Sequence, residues 1–164
     1  MTAEREAFVA RFGGIYERSP WVAEEACAAA AGVTEVEQLA RILARCVDAA
    51  GAERKLALIC AHPDLAGRAA VRGELTAESS SEQASAGIDQ CTPAEYQQFQ
   101  DLNGRYRDKF GFPFVMAVRG CSRAEILAAF AARIGNDYAA EFATAIQEIH
   151  KIARLRLAAL QVDA

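Results

Sequence analysis

The sequence predicts an all-α protein, a compact single-domain bundle of about seven to nine helices over residues 1–164. Three observations carry that expectation. Helix-start residues, Ser or Thr with Pro or Glu at fixed offsets, recur ahead of apolar residues spaced three and four apart. Glycines close most of these stretches. Only Phe112-Pro113-Phe114-Val115-Met116-Ala117-Val118 has β character, and a lone strand would leave its backbone groups unpaired. That run therefore reads as an extended, buried connector.

Thr2 caps a first helix that runs to the Gly13-Gly14 stop, with Phe8, Val9 and Phe12 on one side. Ser19-Pro20 places a capping residue before a proline at the first helical position, where the missing N–H costs nothing. That second helix extends from Trp21 through an alanine run to Gly32. Thr34 and Glu37 form a capping box for a third helix, whose Val36, Leu39, Leu43, Cys46, Val47 and Ala50 recur at helical spacing before Gly51. A fourth helix over 53–61 delivers His62-Pro63. Proline disfavours helical geometry in the residue before it, so His62 sits at or just past the helix end.

A weakly patterned segment punctuated by Gly67 and Gly73 follows, and Ser79 and Glu82 then have the spacing of another capping box. Thr92-Pro93-Ala94-Glu95 opens a helix striped by Tyr96, Phe99, Asn103, Tyr106 and Phe110 and stopped by Gly111. Ser122 and Glu125 cap the next, with Ile126, Leu127, Phe130 and Ile134 ahead of Gly135. The last helix, over 137–160, has the stripe Phe142, Ile146, Ile149, Ala153 and Leu160. No internal repeat or linker divides the chain.

A chain of 164 residues can bury a real core, and its 24% charged residues are those of an ordinary soluble globular protein. The net charge of -4 argues against nucleic acid as a partner, because phosphate neutralisation supplies most of that affinity. Cys27, Cys46, Cys60, Cys91 and Cys121 are odd in number, widely spaced and without a CxxC pair, so neither a zinc site nor a disulfide framework is expected. They read as reduced thiols in the core. A metal site on His62 and His150 would need carboxylates with no recognisable spacing, and no metal is expected. With neither a signal peptide nor an apolar run long enough to span a bilayer, the expectation is a cytoplasmic protein without membrane contact.

Loops held by rigid elements commonly carry function, which directs attention to the polar stretch 62–87. His62 has an ordinary pKa near neutral and suits a general acid, or it merely caps the negative end of a helix. Glu82 completes the capping box with Ser79, a role compatible with a functional one. Arg156 falls in the apolar stripe of the last helix. Either it snorkels to water at an exposed helix end, or it is buried against an anion such as Glu82 or a ligand.

The segments Ser19-Pro20-Trp21-Val22-Ala23-Glu24, Ala61-His62-Pro63-Asp64-Leu65-Ala66-Gly67 and Ser79-x-x-Glu82-Gln83-x-x-Ala86-Gly87 together resemble one family. So do Leu102-Asn103-x-x-Tyr106-x-x-Lys109-Phe110-Gly111-Phe112-Pro113-Phe114 and Ala117-Val118-Arg119-Gly120. The family is the 2-oxo-4-hydroxy-4-carboxy-5-ureidoimidazoline (OHCU) decarboxylases of uric acid breakdown. The resemblance implies a cofactor-free helical enzyme, typically a homodimer, that converts OHCU to (S)-allantoin and carbon dioxide. It implies His62 as catalytic acid, and Pro63, Ser79, Ser80, Ser81, Glu82, Gln83, Phe114, Val115, Met116, Ala117 and Val118 as substrate-binding positions. Glu82 is further expected to act on the substrate hydroxyl, and Arg156, or Arg119 in its place, to meet a carboxylate. A non-enzymatic helical binding module would explain the caps but not the pairing of HPDLAG with SxxEQ. A decarboxylase or tautomerase of a related ureide or hydantoin remains the other alternative.

Overall fold

The computed structural model describes residues 2–162, and within them every regular element is helical. In chain order they are α1 (Ala3–Phe12), α2 (Trp21–Ala26), α3 (Val36–Asp48), α4 (Ala52–Cys60), α5 (Arg68–Val71), α6 (Ala77–Ser85), a 3-10 turn (Ile88–Gln90), α7 (Pro93–Phe110), α8 (Arg123–Ile134) and α9 (Tyr138–Val162). The contacts divide the chain into two compact units. One comprises the described residues up to Ala61 with those from Ile149 onward, the other His62–Glu148.

In the first unit α1 packs on α2 and α2 on α3. The α3 helix buries Leu39, Leu43 and Val47, four residues apart on one face. Each such side chain contributes about 1.5–3 kcal/mol on leaving water. Thr2 caps α1 as expected, its hydroxyl accepting from Arg5 N–H at 3.3 Å. Two other expected caps are not made. The Ser19 hydroxyl donates to Glu17 C=O at 2.8 Å, and Pro20 takes the cap position of α2. That helix ends at Ala26, because the alanines beyond it continue only as turns to Gly32. Glu35, not Thr34, precedes α3, and it makes no side-chain cap.

In the second unit the capping boxes Thr92/Glu95 and Ser122/Glu125 are both formed. Gly111 adopts a left-handed φ of 74°, which ends α7 and turns the chain into the connector. The connector is extended but pairs with no strand. Phe112, Phe114, Val115 and Val118 are buried, and the Phe114 ring stacks on Phe130 with centroids 3.8 Å apart. Tyr106 sits among Phe110, Phe112, Phe114 and Phe130, so the aromatic stripe of α7 is core, although Tyr96 at its start is exposed.

The cysteines differ from expectation: four are half-buried and Cys60 is exposed, since Leu58 and Ile59 take the buried face of α4. None is in a disulfide. The box expected at Ser79 and Glu82 is also replaced. Thr76 caps α6, its hydroxyl accepting from Ser79 N–H at 3.2 Å, so the helix begins three residues early. Ser79 and Glu82 therefore lie within α6 rather than at its mouth.

Candidate active site

The second unit assembles its polar residues around the loop that starts at His62. Helix α4 ends at Cys60 with Ala61 as its cap, which leaves His62 just beyond it, as proline at 63 requires. His62 is buried, and Pro63 and Asp64 are half-buried. The loop closes through Ala66 at a positive φ of 52°, costly for a residue with a Cβ. Gly67 is required next, because a Cβ there would stand 2.8 Å from that of Asp64.

Side chains from two helices hold this loop. The Gln83 amide bridges it at both ends: Oε1 accepts from Ala66 N–H at 3.2 Å and Nε2 donates to Asp64 C=O at 3.3 Å. From α7, Asn103 Nδ2 donates to Leu65 C=O at 2.9 Å and Gln100 Nε2 to Ala66 C=O at 2.7 Å. Arg107 lies one turn further along the same face and pairs with the Asp64 carboxylate at 3.1 Å. Three successive carbonyls are thus each met by a side-chain amide.

Asn103 is unusual energetically. It is buried, and its Oδ1 has no hydrogen-bond partner. The bond made by Nδ2 stabilises by about 0.5–1.5 kcal/mol, whereas an unsatisfied buried acceptor costs about 1–3 kcal/mol. On balance the amide does not stabilise the fold.

Helical periodicity of about 3.6 residues per turn puts Ser79, Glu82, Gln83 and Ala86 on one side of α6. Their burial agrees: Ser79, Gln83 and Ala86 are buried and Glu82 half-buried. Ser80 and Ser81 are exposed and off that side. Ser80 lines a cavity of about 550 Å³ with Ala66, Gln83, Ala84, Ile88 and Tyr96.

The connector 114–118 is anchored at Val115 and Ala117. Arg133 Nη1 donates to Val115 C=O at 2.8 Å and stands over the Phe114 ring, and Ala117 N–H donates to Glu148 Oε1 at 3.4 Å. Among the described residues, Val115 N–H and both peptide groups of Met116 are in no hydrogen bond, and Met116 and Ala117 are only half-buried. Arg119, just beyond, is exposed.

Arg156 belongs to the first unit. It does not snorkel: it is buried and meets Glu17 Oε2 at 2.7 Å, with further bonds to Gly14 and Ile15 C=O. The anionic partner thus comes from a carboxylate that sequence spacing did not single out. Nearby, both nitrogens of the His150 ring are engaged, Nδ1 with the Tyr16 hydroxyl at 2.8 Å and Nε2 with Asp48 Oδ1 at 2.9 Å. Burial, followed by the charge of Asp48, raises the Tyr16 pKa well above the ordinary tyrosine value. Among the described residues no cluster of His, Cys, Asp and Glu is placed to hold a metal ion, and no helix is long and apolar enough to cross a membrane.

Sequence reasoning missed Gln100, Arg107, Glu17, Arg133 and Glu148. Asn103 was the one visible signal, an amide interrupting an aromatic stripe.

The geometry can be set beside known proteins. A family model described as OHCU decarboxylase matches residues 1–158 and so spans both units. This chain belongs to the OHCU decarboxylase family. It is 44% identical over 160 residues to a 2-oxo-4-hydroxy-4-carboxy-5-ureidoimidazoline decarboxylase of Halalkalicoccus jeotgali, covering 98% of this chain and 88% of that protein. A Haloferax volcanii protein of the same name is 45% identical over 153 residues, covering 93% of this chain and 88% of the relative. Among solved structures, that of an (S)-allantoin synthase superposes with a TM-score of 0.76 at 34% identity, covering 95% of this chain. This chain spans 50% of that protein's chain. Family membership thus accounts for the joint presence of HPDLAG and SxxEQ, which local capping did not.

Proposed function

We propose that this protein is an OHCU decarboxylase, releasing carbon dioxide and forming (S)-allantoin without a cofactor. The observation that supports this best is the bridge made by Gln83. In a member of this family it ties the loop that starts at His62 to the helix that carries Glu82.

The chemistry suits such a site. The substrate carboxylate is on a ring carbon next to a C=N bond. As carbon dioxide leaves, the C–C bonding pair moves into the ring and the imine nitrogen takes a proton. The hydroxyl then loses its proton as its carbon becomes a carbonyl, and the neighbouring carbon gains a proton on one face. One proton is taken up overall. His62 supplies a proton or polarises the departing carboxylate, and Glu82 handles the hydroxyl. Pro63 and Ser79, on the loop and on the side of α6 shared with Glu82, shape the site. Gln83 acts by holding the loop, and it keeps spare amide capacity for the ring.

The unpaired peptide groups at Val115 and Met116 suit the amides of a flat, polar ureido-imidazoline, with Phe114, Ala117 and Val118 fixing their direction. Ser80 and Ser81, being exposed, contribute only through the run of helix they share with Ser79.

The test is circular dichroism of freshly generated OHCU with and without the protein. Rapid appearance of one enantiomer of allantoin is expected. Racemic product at the uncatalysed rate, from folded protein, would overturn the assignment. We further propose a cytoplasmic homodimer, with sedimentation at twice the mass of a 17.6 kDa chain expected and a monomer at micromolar concentration refuting it.

A further inference from the structure

We propose that Asn103 and Gln100 are positioning residues for His62, present to fix the catalytic loop rather than to stabilise the fold. The inference rests on the decarboxylase reading above and names residues beyond those it uses. Between Pro63 and Ala66 the chain is in no helix or strand, and Leu65 and Ala66 form only a single turn, so no ladder holds this segment. Its carbonyls at 64, 65 and 66 are held instead by Gln83, Asn103 and Gln100. Two of these three amides come from one face of α7, a helix closed at its start by a complete capping box and buried through Phe99, Tyr106 and Phe110. The clamp is therefore mounted on a rigid element.

Only Pro63 separates the clamped residues from His62. Its ring locks its own φ and restricts the backbone of the residue before it, so the placement of Asp64–Ala66 is passed to His62 with little slack. The left-handed Ala66 points the same way. A backbone in that region persists where its surroundings over-determine it, and here the amides on both sides of Ala66 do so. The orphaned Oδ1 shows that Asn103 carries a stability penalty for the sake of its single donor. A proton delivered to one face of a ring needs its donor held to a fraction of an ångström, and misplacement by about 1 Å costs up to about 100-fold in rate.

The test uses Asn103→Leu, which keeps the volume and removes both the donor and the orphaned acceptor, with Gln100→Met as a second variant. Wild-type protein must first convert OHCU; if it does not, the decarboxylase reading fails and the inference falls with it. Given an active wild type, Asn103→Leu is expected to melt at or above the wild-type temperature. Its kcat should fall by about 10–100-fold, with KM changed much less and the enantiomeric excess of allantoin reduced. Gln100→Met should show the same kinetic pattern in weaker form. An unchanged kcat and enantiomeric excess in both variants overturns the inference. So does a melting temperature that falls together with activity while the product stays single-handed, since Asn103 would then be a structural residue only.

Discussion

Replacing His62 with asparagine is expected to lower the rate of OHCU decarboxylation by about 10²–10⁴-fold, the contribution typical of one positioned acid. Asparagine keeps a polar, hydrogen-bonding side chain at a buried position and removes the imidazole that is to donate the proton. The loop should survive the change, because Gln83, Asn103 and Gln100 hold residues 64–66. Glu82→Gln should be comparably slow, because the hydroxyl proton then leaves without a directed acceptor. Both variants are measured by the rate and sign of the dichroism of allantoin. Turnover near the wild-type rate with single-handed product in His62→Asn would remove His62 from the mechanism.

The largest expected effect on stability lies away from that loop, at Glu141. Its carboxylate is fully buried in the second unit and meets Arg133 at 2.9 Å, Asn136 Nδ2 at 2.9 Å and the Tyr106 hydroxyl. Arg133 also holds the connector through Val115 C=O. Glu141→Gln strands a largely buried guanidinium, and breaking a buried pair on one side costs about 3–5 kcal/mol. At about 2–4 °C per kcal/mol for a chain of this size, that corresponds to a fall in Tm of roughly 10 °C. A fall of less than about 3 °C would show that the pair is not what holds the connector. Replacing both partners, with Arg133→Met beside Glu141→Leu, should recover part of the loss, since no uncompensated charge remains.

The same carboxylate gives a pH dependence. Burial works to raise the Glu141 pKa, but the hydrogen bonds from Arg133, Tyr106 and Asn136 outweigh it and hold it below the usual carboxylate range. A depressed folded value stabilises above the unfolded pKa, about 4.3, and that stabilisation is lost as pH falls through the folded value. Acid titration of Tm should therefore show a steep loss below about pH 4 in the wild type and a shallower one in Glu141→Gln.

Much of the architecture was legible because its causes are local. Thr92 with Pro93 and Glu95, and Ser122 with Glu125, are complete capping boxes within four residues, and both form as the spacing predicts. The position of His62 follows from the proline beside it. The same local rule misled at Ser79 and Glu82, because Thr76 three residues earlier satisfies the same helix end and the pattern cannot rank the two. It misled again at Thr34, where Glu35 occupies the cap position.

The sequence by itself therefore determined the helical class, the break at His62, the unpaired connector and, through resemblance, the family. Tertiary structure alone decided which charges and amides meet. Arg156 finds Glu17 across 139 residues, Asn103 reaches Leu65 across 38, and Tyr106 reaches Glu141 across 35. Caps and helical stripes arise between neighbours in the chain, so they leave a periodic trace in it. Buried polar pairs are fixed by the low dielectric of a packed interior, which penalises any unpaired group wherever its partner lies in the chain, and they leave no such trace.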